Sequence, residues 1–506
     1  MASAIVAAAL ALSLVSACTS GDDAPAAGSP NAPSVTTAPV PDRLATFYDQ
    51  KLSWKDCRDG FECTELTVPV DYDKPDGPTI GLSVIRLPAG KPKQRIGSLL
   101  INPGGPGASG VSYARSATSV ISNATRRSYD VVGFDPRGVA ASDPLDCLSD
   151  KQTDTMLGAD PTPDTAAEVA TTVQLAKLLG NGCEQADPAL VGHVDTVSAA
   201  RDMDVLRAAL GDKRLSYLGK SYGTFLGASY ADLFPQNIGR MVLDGAIDPS
   251  LTSEQIDLGQ AKGFEQATRS FVADCVSSSG CPLGSTVDGG MRRLQGLLAS
   301  LDEHPLPSGE ADRPLTEGWG SLGIALAMYD PGFWPTLRQA LDKAFGGDGS
   351  GLMRLADVYA DRSARGTYDT NQNSVIYAVN CLDRPDDGGV AEVKSELSTF
   401  ENAAPTWGRF LAWSALPCSF WPVKGSGKPH KITAAGSPPI VVVGTTRDPA
   451  TPYPWAQGLA AQLADGHLIT HKGDGHTAYM RGSRCVDKAV DGYLLRGTVP
   501  KDGLTC

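Results

Sequence analysis

The chain has 506 residues, of which 42% are hydrophobic and 20% are charged, and its formal net charge at pH 7 is -13. That length suits one large domain with an insertion, or two or three domains. The acidic balance argues against a nucleic-acid-binding protein, because such a protein needs a basic face for the phosphates.

An apolar segment opens the chain. Residues 1–17, MASAIVAAALALSLVSA, have the length and composition of a signal peptide and end in small residues directly before Cys18. This ending resembles a bacterial lipoprotein signal, although no Lys or Arg precedes the apolar run. We therefore expect export, with a lipid on Cys18 that anchors the protein at the outer face of the cytoplasmic membrane or cell envelope. A plain secretory signal and a secreted product are the alternative.

The next segments predict the organisation of the folded part. Residues 18–44 are rich in proline and small side chains, which indicates a flexible spacer. From residue 45, β-rich runs alternate with helical or loop stretches, so we expect an α/β fold with a mostly parallel sheet. The predicted strands are 79–87, 97–102, 129–135, 215–219, 240–245, 439–448 and 466–473.

The alternation of strands and helices stops between residues 250 and 435. Helix-like stretches such as SEQIDLGQAKGFEQATRSFVADC occur there without a clear strand run. Large insertions on α/β sheets often cover the ligand site, so this interval is predicted to be a mainly helical cap. The sheet domain is then expected to comprise residues 45–249 and 436–506.

Cysteines add a further expectation. The chain contains eleven cysteines, and ten remain when Cys18 is set aside. Exported proteins keep disulfides, but ten cysteines allow on the order of a thousand pairings. Pairing of sequence neighbours is the simplest expectation, giving Cys57–Cys63, Cys147–Cys183, Cys275–Cys281, Cys381–Cys418 and Cys485–Cys506. Neither a C-x-x-C pair nor a suitably spaced histidine occurs, so no metal site is expected.

One short motif carries the chemistry. Gly219-Lys220-Ser221-Tyr222-Gly223 follows a predicted strand and precedes an apolar helical run. A G-x-S-x-G sequence in that setting is typical of a nucleophile elbow, a tight turn that lifts the serine hydroxyl above the sheet. Ser221 is therefore the predicted nucleophile, and the N–H of Tyr222 is predicted to face the reacting carbonyl. An ordinary tight turn with an exposed serine is the alternative.

A serine nucleophile needs a histidine base and an acid that orients it, and in this setting the acid precedes the histidine in the chain. His476 lies in a glycine-rich loop after the last predicted strand and is the expected base. Asp448 ends a β-rich run and is the expected acid, with Asp244 or Asp248 as alternatives. Asp474 is too close to His476 in sequence and is expected to shape the loop.

The oxyanion of the reaction needs a second N–H donor besides Tyr222. The loop PGGPGASG, residues 103–110, follows a predicted strand, and its glycines allow the backbone to approach a substrate closely. Gly105 is the expected donor, and Gly104 is the second choice.

Several long motifs together resemble one family. NPGGPGASG, VVGFDPRGVAASDP, LSYLGKSYGTFLGASYADLFPQNIGRMVLDGAIDPS and RDPATPYPWA are similar to motifs of the secreted tripeptidyl aminopeptidases of actinobacteria, which belong to the α/β-hydrolase superfamily and are related to proline iminopeptidases. The resemblance covers most of residues 45–506. It implies an α/β-hydrolase fold and a serine exopeptidase that acts at free peptide N-termini through an acyl-enzyme on Ser221, without metal or cofactor. The chain departs from the family near Ala140, where another glycine is usual.

An enzyme that acts at free N-termini also needs a carboxylate for the substrate ammonium. Asp383 is the first candidate, and Glu265 and Glu317 are alternatives. Thr451 is expected either to hydrogen-bond near Asp448 or to cap the following helix. Two other functions stay open: a carboxylesterase or lipase that uses the same triad on small esters, and a non-catalytic binding lipoprotein.

Overall fold

The structure is a computed structural model that describes residues 40–506. The predicted signal peptide, the predicted lipid site at Cys18 and most of the predicted spacer lie outside the described residues. Within residues 40–506, no helix combines the length and the apolar character that crossing a membrane requires.

One sheet of ten strands forms the centre of the fold. The strands are β1 (Lys55–Asp56), β2 (Glu62–Pro69), β3 (Thr79–Leu87), β4 (Gly97–Asn102), β5 (Tyr129–Phe134), β6 (Leu215–Lys220), β7 (Ile238–Asp244), β8 (Ile440–Arg447), β9 (Gly466–Asp474) and β10 (Leu504–Thr505). Their spatial order is β1-β2-β3-β5-β4-β6-β7-β8-β9-β10. Each of the seven predicted strands corresponds to one of β3 to β9, with ends that agree within two residues.

The pairing of these strands gives the fold class. β1, β2 and β3 pair antiparallel, and β3 pairs antiparallel with β5. All neighbours from β5 through β10 pair parallel. The predicted α/β-hydrolase fold with a mostly parallel sheet is therefore confirmed. β2 escaped prediction because polar side chains such as Glu62 and Glu65 interrupt its apolar pattern.

Alternate residues of the central strands pack into two different cores, as the two-residue period of a strand requires. Leu100 of β4 and Val132 of β5 belong to a core that continues through Met203 and Leu226 on the covering helices. Leu99 and Ile101 of β4, together with Val131, belong to the opposite core. Because both faces are covered, these strands are continuous apolar runs, which made them recognisable in the sequence.

Within residues 40–506, ten α-helices belong to the sheet domain and eight to the inserted interval. The helices before the insertion are α1 (Ala45–Tyr48), α2 (Gly110–Arg115), α3 (Ala117–Val120), α4 (Asn123–Ser128), α5 (Asp150–Leu157), α6 (Ala166–Ala186), α7 (Thr196–Ala209) and α8 (Tyr222–Leu233). The helices of the insertion are α9 (Ser253–Val276), α10 (Val287–Glu303), α11 (Glu317–Tyr329), α12 (Trp334–Phe345), α13 (Ser350–Ala360), α14 (Gln372–Asp383), α15 (Gly389–Ala403) and α16 (Gly408–Ser414). The last two are α17 (Tyr453–Gln462) and α18 (Arg484–Arg496).

We call residues 250–435 the cap. All ten strands of the sheet lie outside this interval, among the residues that the structure describes. The cap helices bury a separate apolar core that includes Phe271, Trp319, Leu341 and Trp407. Local signals start its longest helix: Thr252 caps α9, and the side chain of Gln255 returns to the backbone of Thr252 in a capping box.

Ten cysteines form five disulfides in the structure. The pairs are Cys57–Cys63, Cys147–Cys183, Cys275–Cys281, Cys381–Cys418 and Cys485–Cys506, which are the sequence neighbours. Cys381–Cys418 lies entirely within the cap and ties α14 to a short 3-10 helix at Leu416–Phe420. Cys485–Cys506 holds the end of the chain beside α18.

Candidate active site

Ser221 occupies a sharp turn between β6 and α8. Its φ of 56° and ψ of -128° lie in a region that non-glycine residues rarely adopt. Hydrogen bonds hold this conformation, because Ser221 N donates to Asp244 O at 3.0 Å and Thr224 N donates to Ser221 O at 2.8 Å. A Cβ on Gly219 would lie 2.2 Å from Gly223 O, so the turn excludes a side chain there. This is the geometry of a nucleophile elbow.

Asp448 and His476 form a buried acid–base pair. Asp448 follows β8 and His476 follows β9, and His476 Nδ1 lies 2.9 and 3.0 Å from the two carboxylate oxygens of Asp448. The N–H groups of Ala450, Thr451 and Thr477 also donate to this carboxylate at 2.8 to 3.1 Å. Asp448 is 1% exposed, so these four donors fix its orientation.

The second ring nitrogen of His476 is available as a base. With the Nδ1 proton directed at Asp448, Nε2 carries the lone pair, and it is buried without a hydrogen-bond partner among residues 40–506. His476 Nε2 therefore makes no hydrogen bond to Ser221 Oγ in this structure. Hydrogen bonds between catalytic groups are often long or poorly aligned until a substrate is bound. Both residues lie beside the end of β7: Ser221 N donates to Asp244 O, and a Cβ on Gly245 would lie 3.3 Å from His476 Cε1.

The alternative acids occupy other roles. Asp244 accepts N–H groups of Ala478 and Tyr479, each at 2.9 Å, and lies 3.7 Å from Lys220 Nζ. It therefore holds the backbone that follows His476 rather than the ring. Asp248 accepts from Ser250 N at 2.9 Å and from a glutamine side chain. The side chain of Asp474 is paired with Arg447 through two contacts of 2.6 Å. Asp474 begins the segment 474–481 that contains His476, which we call the histidine loop.

The glycine-rich loop after β4 packs closely against the nucleophile elbow. A Cβ on Gly104, whose φ is 101°, would lie 2.6 Å from Lys220 O and 3.0 Å from Tyr222 N. Gly104 N already donates to Asn102 Oδ1 at 2.9 Å, which leaves Gly105 as the better oxyanion donor. Gly105 and Tyr222 line the same cavity, as two backbone donors for one oxyanion must.

A cavity of about 270 Å³ separates the elbow from the cap. Aromatic side chains from five cap elements contribute to its wall, together with a few polar groups. The aromatic and polar side chains that line it include Phe264, Tyr329, Tyr359, Tyr377, Trp407, Phe410, Asp257, Gln260, Asn380 and Arg384. Such a mixture of apolar surface and a small number of polar groups is typical of a substrate site.

Asp383, the first candidate for the substrate ammonium, lies behind the cavity and is bonded to Thr196. Among the described residues that line the cavity are its neighbours Asn380 and Arg384, but not Asp383. Its carboxylate accepts Thr196 N at 2.8 Å and Thr196 Oγ1 at 2.5 Å, and the hydroxyl of Tyr222 lies 2.5 Å from the same Oγ1. Burial raises the pKa of Asp383 to about 7. Asp383 thus supports the oxyanion residue Tyr222 from behind the cavity wall.

The two alternative acids are also engaged elsewhere. Glu265 accepts Thr406 N at 2.8 Å and Thr406 Oγ1 at 3.1 Å within the cap. Glu317 accepts Thr162 Oγ1 at 2.7 Å, and burial raises its pKa to about 7. Oxygens of Glu317, Asp160 and Asp302 lie within 4.8 Å of one another, away from the residues that line the catalytic cavity.

Thr451 belongs to the acid–base pair rather than to the substrate wall. Its N–H donates to Asp448 Oδ1 at 2.8 Å, and its Oγ1 lies 3.3 Å from His476 Nδ1. The first expectation, a hydrogen bond near the acid, describes the structure. The alternative does not, because Pro452 occupies the N-cap position of α17.

Asp257 is the acid that sequence reasoning missed. It lies on α9 and lines the cavity, and no described residue forms a hydrogen bond or ion pair with it. Burial raises the pKa of Asp257 to about 8; the carboxylates of Asp386 and Glu396 act in the same direction and the guanidinium of Arg384 opposes them. In the sequence, Asp257 is one acid among several on an ordinary helix, so only the packing of α9 distinguishes it.

Comparison with known proteins gives concordant results. A family model described as TAP-like protein matches residues 404–506. Serine protease Hip1 of Mycobacterium tuberculosis is 39% identical over 478 residues, covering 90% of this chain and 91% of the relative. Carboxylesterase B of the same organism is 38% identical, covering 90% of this chain and 89% of the relative. Tripeptidyl aminopeptidase of Streptomyces lividans is 34% identical, covering 90% of this chain and 86% of the relative.

The Asp448–His476 pair leads to a first prediction. Asp448→Asn should lower kcat by roughly 10⁴-fold, because an amide cannot hold the imidazole in the required tautomer. Steady-state kinetics on an activated ester or anilide would measure this, with Ser221→Ala as the inactive reference. Asp474→Asn is the matched control and should stay within about fivefold of wild type, because its ion pair with Arg447 is partly exposed, with side chains 40% and 20% accessible. Nearly full activity of Asp448→Asn would show that another acid orients His476.

Proposed function

We propose that this chain, which belongs to the tripeptidyl-aminopeptidase-like family of α/β-hydrolase serine peptidases, removes short peptides from free N-termini of peptide substrates. One observation carries this proposal. The cavity that Gly105 and Tyr222 share with the cap is also lined by Asp257, whose carboxyl group has no hydrogen-bond or ion-pair partner among residues 40–506. A cavity covered by the cap would admit the end of a substrate peptide more readily than an internal segment of it. The name tripeptidyl aminopeptidase of the Streptomyces relative supports three residues as the released length.

The chemistry follows from the position of each group. His476 Nε2 removes the proton of Ser221 Oγ while that oxygen attacks the scissile carbonyl carbon. The resulting oxyanion accepts hydrogen bonds from the N–H groups of Gly105 and Tyr222. His476 then protonates the leaving amine, and the C–N bond breaks to leave an acyl-enzyme. Water, deprotonated by the same nitrogen, hydrolyses the ester and regenerates Ser221.

Asp257 supplies the N-terminal specificity in this proposal. An α-ammonium group brought into the cavity loses its hydration, and a carboxylate is the natural partner for it. Asp257 has no hydrogen bond or ion pair within the described residues, so its oxygens are available for this role. The raised pKa of Asp257 means that ammonium binding must expel the carboxyl proton. A blocked N-terminus would instead leave a neutral acid beside an amide, with no such gain.

Ester hydrolysis is the second candidate function. The relative named carboxylesterase B is nearly as similar to this chain as Hip1, and an acyl-enzyme mechanism on Ser221 serves esters and amides alike. The aromatic wall of the cavity, including Tyr359 and Trp407, would accept an apolar acyl group. Rates on peptide and ester substrates therefore decide between the two functions.

A substrate panel tests the peptidase proposal. Aminoacyl, dipeptidyl and tripeptidyl p-nitroanilides, each with a free or an acetylated amine, are compared with p-nitrophenyl butyrate. We expect the free tripeptidyl anilide to show the highest kcat/KM, and acetylation to lower it about 10- to 100-fold, the value of a charge-assisted contact. Ser221→Ala should abolish all turnover. Equal cleavage of acetylated anilides, or turnover of the ester alone, would establish a general esterase instead.

Asp257 gives the proposal a pH dependence. Because burial raises the pKa of Asp257 to about 8, its carboxyl group is mostly protonated below that pH, and each ammonium group that binds there must displace a proton. Above that pH the substrate amine, whose pKa is about 8, loses its own charge. The ratio of kcat/KM for free over acetylated tripeptide should therefore peak near pH 8 and fall by up to about tenfold per pH unit on the acid side.

Asp257→Asn should make the ratio of kcat/KM for free over acetylated tripeptide small and independent of pH. Turnover of the acetylated substrate should stay close to wild type. Glu254→Gln is the matched control, since it removes the same charge from an exposed position one turn earlier on α9. It should leave the pH profile unchanged. An unaltered profile in Asp257→Asn would remove this residue from ammonium recognition without touching the peptidase assignment.

The N-terminal sequence supports a separate proposal about location. We infer that Cys18 carries a lipid after cleavage of residues 1–17, which would tether the enzyme to the outer face of the cytoplasmic membrane through residues 18–44. Cells expressing the full chain would be labelled with an alkyne fatty acid and separated into membrane and medium fractions. We expect label and protein in the membrane fraction, and Cys18→Ser should lose both. Unlabelled protein in the medium would indicate a plain secretory signal.

A further inference from the structure

The end of cap helix α11 touches the loop that carries the catalytic base. His476 N donates to Tyr329 O at 2.9 Å, so a cap carbonyl holds the backbone of the histidine. A Cβ added to Gly475 would lie 3.0 Å from Pro331 Cδ and 3.1 Å from Tyr329 O. The cap segment Tyr329–Pro331 and the histidine loop are therefore in direct contact, and neither can move far without the other.

A side-chain bridge reinforces this contact. Arg481, five residues after His476, donates from Nη2 to Tyr329 O at 3.1 Å and pairs with Asp330 Oδ2 at 3.3 Å. The carbonyl oxygen of Tyr329 thus accepts hydrogen bonds from the main chain of His476 and from the side chain of Arg481. Asp330 also accepts Gly332 N at 2.8 Å, which fixes the turn that follows α11.

The same cap residue faces the substrate. The ring of Tyr329 lines the catalytic cavity and meets the His476 ring edge-on, with centroids 5.2 Å apart. Its other neighbours are aromatic, since Phe264 and Tyr359 lie with ring centroids at 5.7 and 6.0 Å. A substrate that fills the cavity therefore packs against the residue whose carbonyl holds the base.

We propose that Tyr329, Asp330 and Arg481 form a cap–base clamp that positions His476, so that the cap contributes to the chemical step as well as to substrate binding. The clamp acts through backbone geometry: it sets where the imidazole stands when Nε2 must reach Ser221 Oγ. Asp448 orients the ring from the sheet side, and Tyr329 holds the main chain from the cap side. Loss of the clamp should lower kcat more than it changes KM.

Arg481 and Asp330 are suitable for mutation because their side chains are 38% and 40% exposed, so their replacement should not unfold the protein. Arg481→Met removes both contacts, Arg481→Lys keeps the charge, and Asp330→Asn keeps an acceptor for Gly332 N while removing the ion pair. Arg484→Met is the matched control, since it removes the same charge from an exposed site three residues farther along.

Two readouts are measured on full-length enzymes: kcat and KM on whichever anilide or ester the wild type cleaves, and the rate of Ser221 modification by diisopropyl fluorophosphate. We expect Arg481→Met to lower kcat and the modification rate about tenfold, the effect of one or two weakened hydrogen bonds, with KM within about twofold. Arg481→Lys should recover part of the loss, and Arg484→Met should match wild type. Asp330→Asn combined with Arg481→Met should be no slower than Arg481→Met alone.

The proposal is overturned if Arg481→Met retains wild-type kcat and modification rate. It is equally overturned if the loss appears only in KM, since the clamp would then serve binding alone. A loss shared by Arg484→Met, or one accompanied by a matching fall in Tm in every variant, would assign the effect to general stability and not to positioning.

Discussion

The active site depends on the buried carboxyl end of β7. There the backbone oxygen of Asp244 accepts the N–H of Ser221, and its side chain accepts the N–H groups of Ala478 and Tyr479, shortly after His476. Lys220 lies 3.7 Å from the same carboxylate and donates to Tyr479 O at 2.7 Å. A buried charge needs its partner, because removing one member leaves the other uncompensated. The pair of Lys220 and Asp244 therefore joins the turn at Ser221 to the histidine loop, although neither residue takes part in the reaction.

The sheet domain and the cap contribute different groups to the site. The parallel sheet places Ser221, Asp448 and His476 at the carboxyl ends of β6, β8 and β9, as open α/β folds place their ligand sites. The cap adds the aromatic cavity wall, the carboxyl group of Asp257 and the carbonyl of Tyr329. The nucleophile, acid and base thus come from the sheet domain, and the groups proposed to select the substrate come from the cap.

The sequence predicted the sheet side of the site better than the cap side. Strand signals and the elbow are local, since glycine spacing around Ser221 and continuous apolar runs are dictated by nearby backbone. Chain order then limited the choice for the acid and the base. Asp383, by contrast, carries no local signal of which way it faces, and the fold turns its carboxylate towards Thr196. Which face of a cap helix meets the cavity depends on helix packing, and no local pattern in α9 marked Asp257.

The raised pKa of Asp257 has a consequence for how such a site discriminates. A carboxylate kept ionised by a permanent partner, as Asp448 is held by four donors, is already satisfied and gains little from a further cation. Asp257 has no such donors within the described structure, and burial favours its neutral form. Its ionisation therefore becomes favourable only when a positive group arrives to compensate the desolvated charge. In the role proposed for Asp257, the same burial that disfavours the empty anion would make the filled site selective for a charged N-terminus over a neutral one.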